Sequence, residues 1–160
     1  MARQSAGLLL YRRRAGELEL FLVHPGGPFW AKKDEGAWSI PKGEYAEGEE
    51  PLAAAKREMA EETGLTVAGD FLALGEVRQA GGKRVTAWAV DMDFDPAALR
   101  SNTFSMEWPP RSGKLRDFPE VDRGEWFPIP AARKKALAAQ VAFVDRLLAE
   151  LGISAEDQHL

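Results

Sequence analysis

The chain has 160 residues, of which 45% are hydrophobic, and it contains no cysteine. This length fits a single domain, residues 1–160, whose core is large enough to fold without staples. The lack of cysteine excludes disulfides and thiolate metal sites and fits a cytoplasmic location. A formal net charge of −4 argues against a broad nucleic-acid surface. No segment predicts a signal peptide or a membrane span, so no membrane partner is expected.

Two short apolar segments begin the chain and predict a pair of strands. Residues 6–11 and 18–24 are rich in leucine and valine and are separated by three arginines and an Ala-Gly turn. The sequence His-Pro-Gly-Gly-Pro at residues 24–28 ends the second strand and begins a loop. We interpret His24, which stands alone at this point, as a structural residue.

A helix is predicted from Pro51 to Thr63. Proline suits the first turn of a helix, where its missing N–H costs nothing. Gly64 suits the left-handed position that follows the last turn. The residues that recur at helical spacing, and that would pack on a sheet, are Leu52, Ala55, Met59 and Thr63.

Three carboxylates lie within little more than one turn of this helix. Glu58, Glu61 and Glu62 are spaced at i, i+3 and i+4, where like charges repel each other. Glu49 precedes the helix and can reach the same edge. A divalent cation would turn the repulsion into ligation, and ligands that are all oxygen favour Mg²⁺, with Mn²⁺ as a substitute. Arg57 is placed to hold one carboxylate through two hydrogen bonds.

The whole segment from residue 43 to residue 65 resembles the Nudix box. The matching residues are Gly43, Glu49, Arg57, Glu58, Glu61, Glu62 and Gly64, with Met59 and Leu65 at the apolar positions. The flanking sequence resembles a Nudix domain over roughly residues 5–151. The alternative is an acidic surface helix that binds no metal. It requires seven polar or glycine matches to arise by chance, which we put on the order of one in a million per chain.

The resemblance implies an α/β fold, the Nudix-type α/β/α sandwich with a mixed β-sheet. It also implies Mg²⁺-dependent hydrolysis of a nucleoside diphosphate linked to another group. In the family, the box glutamates hold the metal, the arginine at the position of Arg57 orients a glutamate, and the carbonyl of the first glycine is often a ligand. The residues predicted to form the metal site are Gly43, Glu49, Glu58, Glu61 and Glu62.

The second half of the chain predicts two more strands, a long irregular segment, a last strand and a helix. The strands are expected at residues 71–77, at 84–94 and around Trp126. Four prolines interrupt residues 95–120, so this segment is expected to be a functional or mobile loop. A helix is expected over residues 131–151. Its inward residues would be Leu137, Val141, Val144, Leu147, Leu148 and Leu151. Residues 152–160 are expected to be a frayed tail.

Four residues outside the metal site are candidates for substrate contacts. Lys42 precedes the box glycine, where its ammonium could meet a phosphate. Arg111 and Lys114 could grip a polyphosphate, and Trp108 could stack on a base. A proline-rich surface loop is the alternative interpretation of these last three residues.

Two further sets of charged residues have more than one interpretation. Lys83 and the arginines on either side of the predicted 77–84 turn could add phosphate contacts, or could be charges that protect an exposed strand edge. Glu120 lies six residues before Trp126, and in several Nudix enzymes a glutamate about that far before a tryptophan enters the metal site. By this resemblance Glu120 is a candidate general base or an extra metal ligand. Glu58 and Glu61 are its rivals, because a base must first reach the attacking water.

Several substrates fit the resemblance. The first strand and residues 82–88 are similar to the diadenosine tetraphosphate hydrolase branch, so a dinucleoside polyphosphate or a nucleoside triphosphate is preferred. The tyrosine that this branch usually carries after the box is missing, because the chain has only Tyr11 and Tyr45. An oxidised guanine nucleotide, 8-oxo-dGTP, and an RNA 5′ triphosphate end stay open, as does the oligomeric state. The rival of another class is a Nudix-fold module that senses a nucleotide without hydrolysing it.

Overall fold

A six-stranded mixed β-sheet lies at the centre of the computed structural model, which describes residues 3–153. The strands of these residues are β1 Gln4–Arg14, β2 Glu17–Pro25, β3 Lys42–Glu44, β4 Leu72–Arg78, β5 Arg84–Asp91, β6 Thr103–Glu107, β7 Leu115–Pro119 and β8 Val121–Pro128. The large sheet has the order β4-β5-β1-β2-β8, with β3 added on β1, while β6 and β7 form a separate antiparallel pair. Strand β1 runs parallel to β5 and antiparallel to β2 and β3.

Helices cover both faces of this sheet. On one face, Leu8 and Leu10 of β1 share a core with Met59 of α1, which spans Pro51–Thr63. On the other face, Leu9 shares a core with α2 (Ile129–Lys135) and α3 (Val141–Glu150). The alternation along β1 follows from the two-residue period of a strand. The α/β/α sandwich with a mixed sheet is therefore confirmed.

The box helix has the predicted bounds. Helix α1 begins at Pro51 and ends at Thr63, and Gly64 adopts φ 82° while its N–H donates to the Ala60 carbonyl. A proline at the start of the helix and a glycine after its end determine these bounds. Because both residues act locally, the bounds could be predicted from the sequence alone.

The single helix predicted over residues 131–151 is wrong. Helix α2 ends at Lys135, a short 3₁₀ turn spans Ala138–Gln140, and α3 follows. Between them the chain pairs with the segment before the box. The Leu137 N–H donates to the Trp38 carbonyl over 2.8 Å, and the Trp38 N–H donates to the Lys135 carbonyl over 2.9 Å. No proline or glycine marks this break in the sequence. The chain instead hydrogen-bonds there to Trp38, which is distant in the sequence.

The irregular loop predicted over residues 95–120 is also wrong. A 3₁₀ turn at Pro96–Ala98 is followed by the β6–β7 hairpin, in which Phe104 pairs with Phe118. Strand β6 alternates half-buried and exposed residues. That pattern is visible in Thr-Phe-Ser-Met-Glu, but it covers only five residues between two prolines. A strand this short gives a weak periodic signal.

The end of the chain agrees only in part with the predicted tail. The Ile153 N–H donates to the Leu148 carbonyl, so residues 152 and 153 continue from α3. The rest of the predicted tail, residues 154–160, lies outside the described residues. None of the helices within residues 3–153 is long and apolar enough to cross a membrane.

Candidate functional site

Gly43 on β3 lies directly against the first carboxylate of the box helix. A Cβ built on Gly43 would come within 2.1 Å of the Cδ atom of Glu58. A side chain at this position would therefore force the Glu58 carboxyl group to move. Glu58 is only 8% exposed, and burial raises the pKa of its carboxyl, although the Arg57 guanidinium opposes the shift. A carboxyl group that is held in this position, although burial disfavours its charged form, is typical of a functional site.

Arg57 contacts three of the box carboxylates. Its Nε and Nη2 atoms each donate to a different oxygen of Glu49, both over 3.0 Å. Its Nη1 atom lies 2.8 Å from Oε1 of Glu58 and 3.2 Å from Oε2 of Glu61. The pair with two hydrogen bonds that the sequence predicted is thus made with Glu49. This pair lowers the pKa of Glu49.

Glu62 faces the strand side of the site. Its Oε1 atom accepts a hydrogen bond from the backbone N–H of Lys42 over 3.2 Å. Burial raises the pKa of Glu62 to about 8, although Lys42 opposes the shift. The pKa of the Lys42 ammonium is lowered by its own burial and, secondly, by the nearby charge of Lys83. Two ammonium groups therefore lie close enough to repel each other beside a buried carboxyl group.

Glu120 reaches the box through a series of backbone hydrogen bonds. The Asn102 N–H donates to the Glu61 carbonyl, and the Glu120 N–H donates to the Asn102 carbonyl, each over 2.8 Å. The Gly26 N–H then donates to the Glu120 carbonyl over 2.9 Å. Partial burial raises the pKa of Glu120, and the charge of Glu61 raises it further. Glu120 is thereby held near the box from outside it.

These groups line one open cavity of about 540 Å³. The predicted site residues that line it are Lys42, Gly43, Glu58, Glu61, Glu62 and Glu120. With Glu44, five glutamates line the cavity, and no histidine or cysteine does, which suits a hard divalent cation. Within residues 3–153 no three acidic or histidine side chains are already grouped as a metal would require. Part of the reason is that Glu58 and Glu61 turn towards Arg57.

The other predicted site residues lie elsewhere. Glu49 is not part of the cavity lining and is engaged with Arg57. Trp108, Arg111 and Lys114 belong to the turn between β6 and β7 and do not line the cavity. At this turn the Trp108 ring packs against Phe29, with 5.5 Å between the ring centroids. Their roles in substrate binding stay predictions.

A second cavity, of about 290 Å³, adjoins the first and was not predicted from the sequence as a site. It shares Lys42, Glu62 and Glu120 with the first cavity. Trp30 also lines both cavities, and the further walls of the second include Ile40, Gln79, Lys83 and Leu137, which come from three segments of the chain. Lys83 alone had been considered as a phosphate contact. A local motif search finds no such site, because Trp30, Ile40, Leu137 and the turn over residues 79–83 are far apart in the sequence.

His24 has the structural role that was expected. Its side chain is fully buried, with Nε2 2.6 Å from the Lys33 carbonyl and Nδ1 3.0 Å from the Asp122 carboxylate. The ring thus ties the loop after β2 to strand β8. That loop carries Trp30, which lines both cavities.

Comparison with known proteins agrees with this fold. A family model described as NUDIX domain matches residues 1–151. A binary complex of the C. elegans Ap4A hydrolase is similar at 23% identity, with a TM-score of 0.65 over 94% of this chain and 98% of that one. The NUDIX domain of Shewanella oneidensis NrtR, complexed with ADP ribose, is similar at 18% identity, with a TM-score of 0.66 over 94% and 89%.

A third structure, the Nudix hydrolase RenU of M. smegmatis, is 21% identical with a TM-score of 0.54 and covers 94% of this chain and 86% of that one. No curated protein matches the sequence. At these identities the structural likeness establishes the fold, while the family model matches nearly the whole chain. The chain therefore belongs to the Nudix family of hydrolases, which act on phosphoric anhydride bonds.

Proposed function

We propose that the chain is a Mg²⁺-dependent pyrophosphohydrolase whose substrates are dinucleoside polyphosphates or nucleoside triphosphates. The observation that carries this proposal is the cavity in which Glu58, Glu61, Glu62 and Glu120 meet. One guanidinium and one partly desolvated ammonium stand against four carboxyl groups there. Further positive charge is needed if all four are to be ionised at once.

The residues that would hold the ion are the three helix glutamates and the Gly43 carbonyl. Glu58 and Glu61 would turn from Arg57, and Glu49 would keep that guanidinium in place through its two hydrogen bonds. Direct ligation by Glu49 is part of the prediction from the sequence but has less support from these contacts. A divalent cation held by these residues would supply positive charge that offsets the negative charge developing on the phosphates as water attacks.

Among the rival bases, Glu120 is best supported. Its carboxyl group makes no hydrogen bond or ion pair with residues 3–153, whereas Glu58 and Glu61 both accept from Arg57. A raised pKa also suits a group that takes a proton from water near neutral pH. We therefore assign proton abstraction to Glu120, and the orientation of the carboxylates to Arg57.

The cavity that adjoins the carboxylates supports a substrate with a bulky group next to the reacting phosphates. Lys42 lines both cavities and lies near Lys83, so polyphosphate oxygens would find two ammonium groups between them. Phosphate chains are commonly bound in this way. The likeness to the Ap4A hydrolase fold agrees with a substrate that extends on both sides of the cleaved bond. A cytoplasmic location, favoured by the lack of cysteine, completes the proposal.

The decisive experiment replaces Glu61, Glu62 and Glu120 one at a time by glutamine. Each variant is assayed with Mg²⁺ on a panel of nucleoside triphosphates and dinucleoside polyphosphates. Turnover is expected to fall by roughly 10²-fold or more, since each change removes a ligand or the base. Glu47→Gln is the matched control, because Glu47 belongs to the box segment but is exposed and does not line the cavity. Wild-type turnover in both Glu61→Gln and Glu62→Gln would contradict the metal site.

The same panel tests the sensing alternative. Chromatography of the products after incubation with wild-type protein separates binding from cleavage. If a nucleotide binds and no Mg²⁺-dependent product forms, the chain is a sensor and the hydrolytic proposal is wrong.

A further inference from the structure

Gln140 is a buried amide whose orientation is fixed by its neighbours. It is 2% exposed, and its Oε1 atom accepts from the backbone N–H of Ile40 over 2.9 Å. A backbone N–H can only donate, so the amide oxygen must face Ile40 and the amide nitrogen must face the other way. That nitrogen donates to Oγ of Ser39 over 3.0 Å and to Oε1 of Gln79 over 2.8 Å.

The fixed amide of Gln140 in turn fixes Gln79. Because the Gln140 nitrogen has only hydrogens to offer, Gln79 must present its oxygen to it. The Nε2 atom of Gln79 is then left without a hydrogen-bond partner among residues 3–153. The backbone at this point is held as well, since the Gln79 N–H donates to the Lys83 carbonyl over 2.7 Å. Gln79 lines the second cavity, so it offers that cavity hydrogen-bond donors from a fixed position.

We propose that this cavity holds the nucleobase of the substrate and that Gln79 is a specificity-determining residue which donates to an acceptor on the base. The inference rests on the proposed function. Trp30, Ile40 and Leu137 supply apolar and aromatic walls for a planar ring. Largely apolar walls with a few fixed polar groups are typical of small-molecule sites.

A base explains the Gln79 donor better than a phosphate does. In the proposed function the phosphate oxygens contact Lys42 and Lys83, whose positive charges suit them. Gln79 is neutral and also borders a third, mostly apolar cavity of about 440 Å³ beyond Leu137. It therefore marks the end of the cleft away from the metal site. A neutral, oriented donor at this end distinguishes ligands by their shape and hydrogen-bond pattern.

The hydrogen-bonding groups that Gln79 offers the cavity favour guanine over adenine. A free glutamine pairs with adenine through both of its groups, donating to N7 and accepting from the N6 amino group. One of the two lone pairs of the Gln79 oxygen is taken by Gln140, whereas neither hydrogen of its nitrogen has a partner among residues 3–153. The amide therefore offers more donors than acceptors, which suits the O6 and N7 acceptors of guanine better than the donor and acceptor of adenine.

The first test is Gln79→Glu, which keeps an acceptor for the Gln140 nitrogen but removes the donor from the cavity. We expect kcat/KM for guanosine nucleotides relative to adenosine nucleotides to fall about 5- to 10-fold, the value of one good hydrogen bond. This ratio cancels any uniform effect of the added charge on phosphate binding. Lys83→Met is the control, because it weakens a phosphate contact and should lower both nucleotides without changing the ratio.

The second test is Gln140→Glu, which leaves every wall residue of the cavity unchanged. The introduced carboxylate still accepts from Ile40 but can no longer donate, so Gln79 must turn its nitrogen towards it and its oxygen towards the cavity. The preference for guanine should again fall. Thermal unfolding shows whether this variant folds, and if it does not, Gln79→Glu decides alone.

Calorimetric titration with guanosine and adenosine β,γ-methylene triphosphates separates this inference from the proposed function. If the wild-type protein cleaves no nucleotide and still prefers the guanosine analogue through Gln79, only the hydrolytic proposal is wrong. The base assignment is overturned if wild-type protein shows no preference for guanine, or if folded Gln79→Glu protein keeps the preference. It is equally overturned if Gln79→Glu weakens both nucleotides alike, because the amide would then serve the phosphates.

Discussion

At the scale of single residues, the absence of a side chain on Gly43 leaves the space that the Glu58 carboxyl group occupies. Any side chain on Gly43 would meet the Glu58 carboxyl group at 2.1 Å, well inside van der Waals contact. Gly43 and Glu58 thus lie directly against each other, although fourteen residues lie between them in the sequence. The backbone freedom of glycine has no part in this, since only the absence of Cβ matters.

Gly43→Ala is therefore expected to destabilise the protein by about 1 kcal/mol, the low end of the cost of overpacking, because the clashing carboxyl group ends a flexible side chain that can move. Urea unfolding measures the loss. In the double variant Gly43→Ala/Glu58→Ala the clash is gone, so its loss should be smaller than the sum of the two single losses. Strictly additive losses would show that the two residues do not compete for the same space.

At the scale of elements, the box helix and the β6–β7 hairpin together make the site. The hairpin segment is joined to α1 where Asn102 donates to the Glu61 carbonyl, and to the loop after β2 where Gly26 donates to the Glu120 carbonyl. A Cβ on Gly26 would lie 1.9 Å from the Pro119 carbonyl oxygen. Close approach of two backbones at this point is what brings Glu120 to the carboxylates.

Gly26→Ala should push these two segments apart and so withdraw Glu120. We expect turnover to fall at least tenfold if Glu120 is the base, while Mn²⁺ still binds at the box glutamates. Steady-state kinetics and Mn²⁺ titration measure the two effects. Lys32→Ala, an exposed change in the same loop, is the control. Parallel loss of Mn²⁺ binding would mean that Gly26 supports the whole site rather than Glu120.

The hairpin turn offers a separate test of the substrate contacts predicted from the sequence. Replacing both Arg111 and Lys114 by alanine should raise KM for polyphosphate substrates several-fold and leave kcat nearly unchanged, because both residues are exposed and lie outside the carboxylate cavity. Arg116→Ala, an exposed charge on the same hairpin, serves as the control. An unchanged KM would leave these residues as ordinary surface charges.

The same elements show how far the sequence could predict the site. Helix α1 has the predicted bounds because Pro51 and Gly64 encode them locally. The break after Lys135 was not predictable, since a contact with Trp38 causes it. Gln79 gave no signal because its role depends on Gln140, which is distant in the sequence. Features that neighbouring residues determine could therefore be predicted from the sequence, whereas those that depend on contacts between distant residues could not.

At the scale of the whole molecule, the carboxyl groups of the candidate site should make folding stability depend on pH. The pKa of Glu62 rises from 4.5 to about 8 in the folded protein. Between these values the folded state holds a proton that the unfolded chain has released, so stability falls as pH rises through this window. Burial also raises the pKa of Glu58 and adds to the same trend.

Urea unfolding of metal-free protein at several pH values across this window measures the effect. Glu62→Gln should flatten the fall, Glu47→Gln should leave it intact, and saturating Mg²⁺ should oppose it by favouring the ionised carboxylates. A metal-free protein whose stability rises with pH through the window would show that Glu62 is ionised in the fold without a cation.

The parallel pairing of β1 with β5 has a consequence for the order of assembly. Strand β1 is synthesised before β5, so Gln4 cannot pair with Arg84 until β5 has been made, and that side of the sheet closes only then. By then the ribosome has already released β3 and α1, whose partners on β1 are available. Glu120 emerges last of the cavity residues. A nascent chain would thus contain the box glutamates before it contains Glu120, the residue to which we assign proton abstraction.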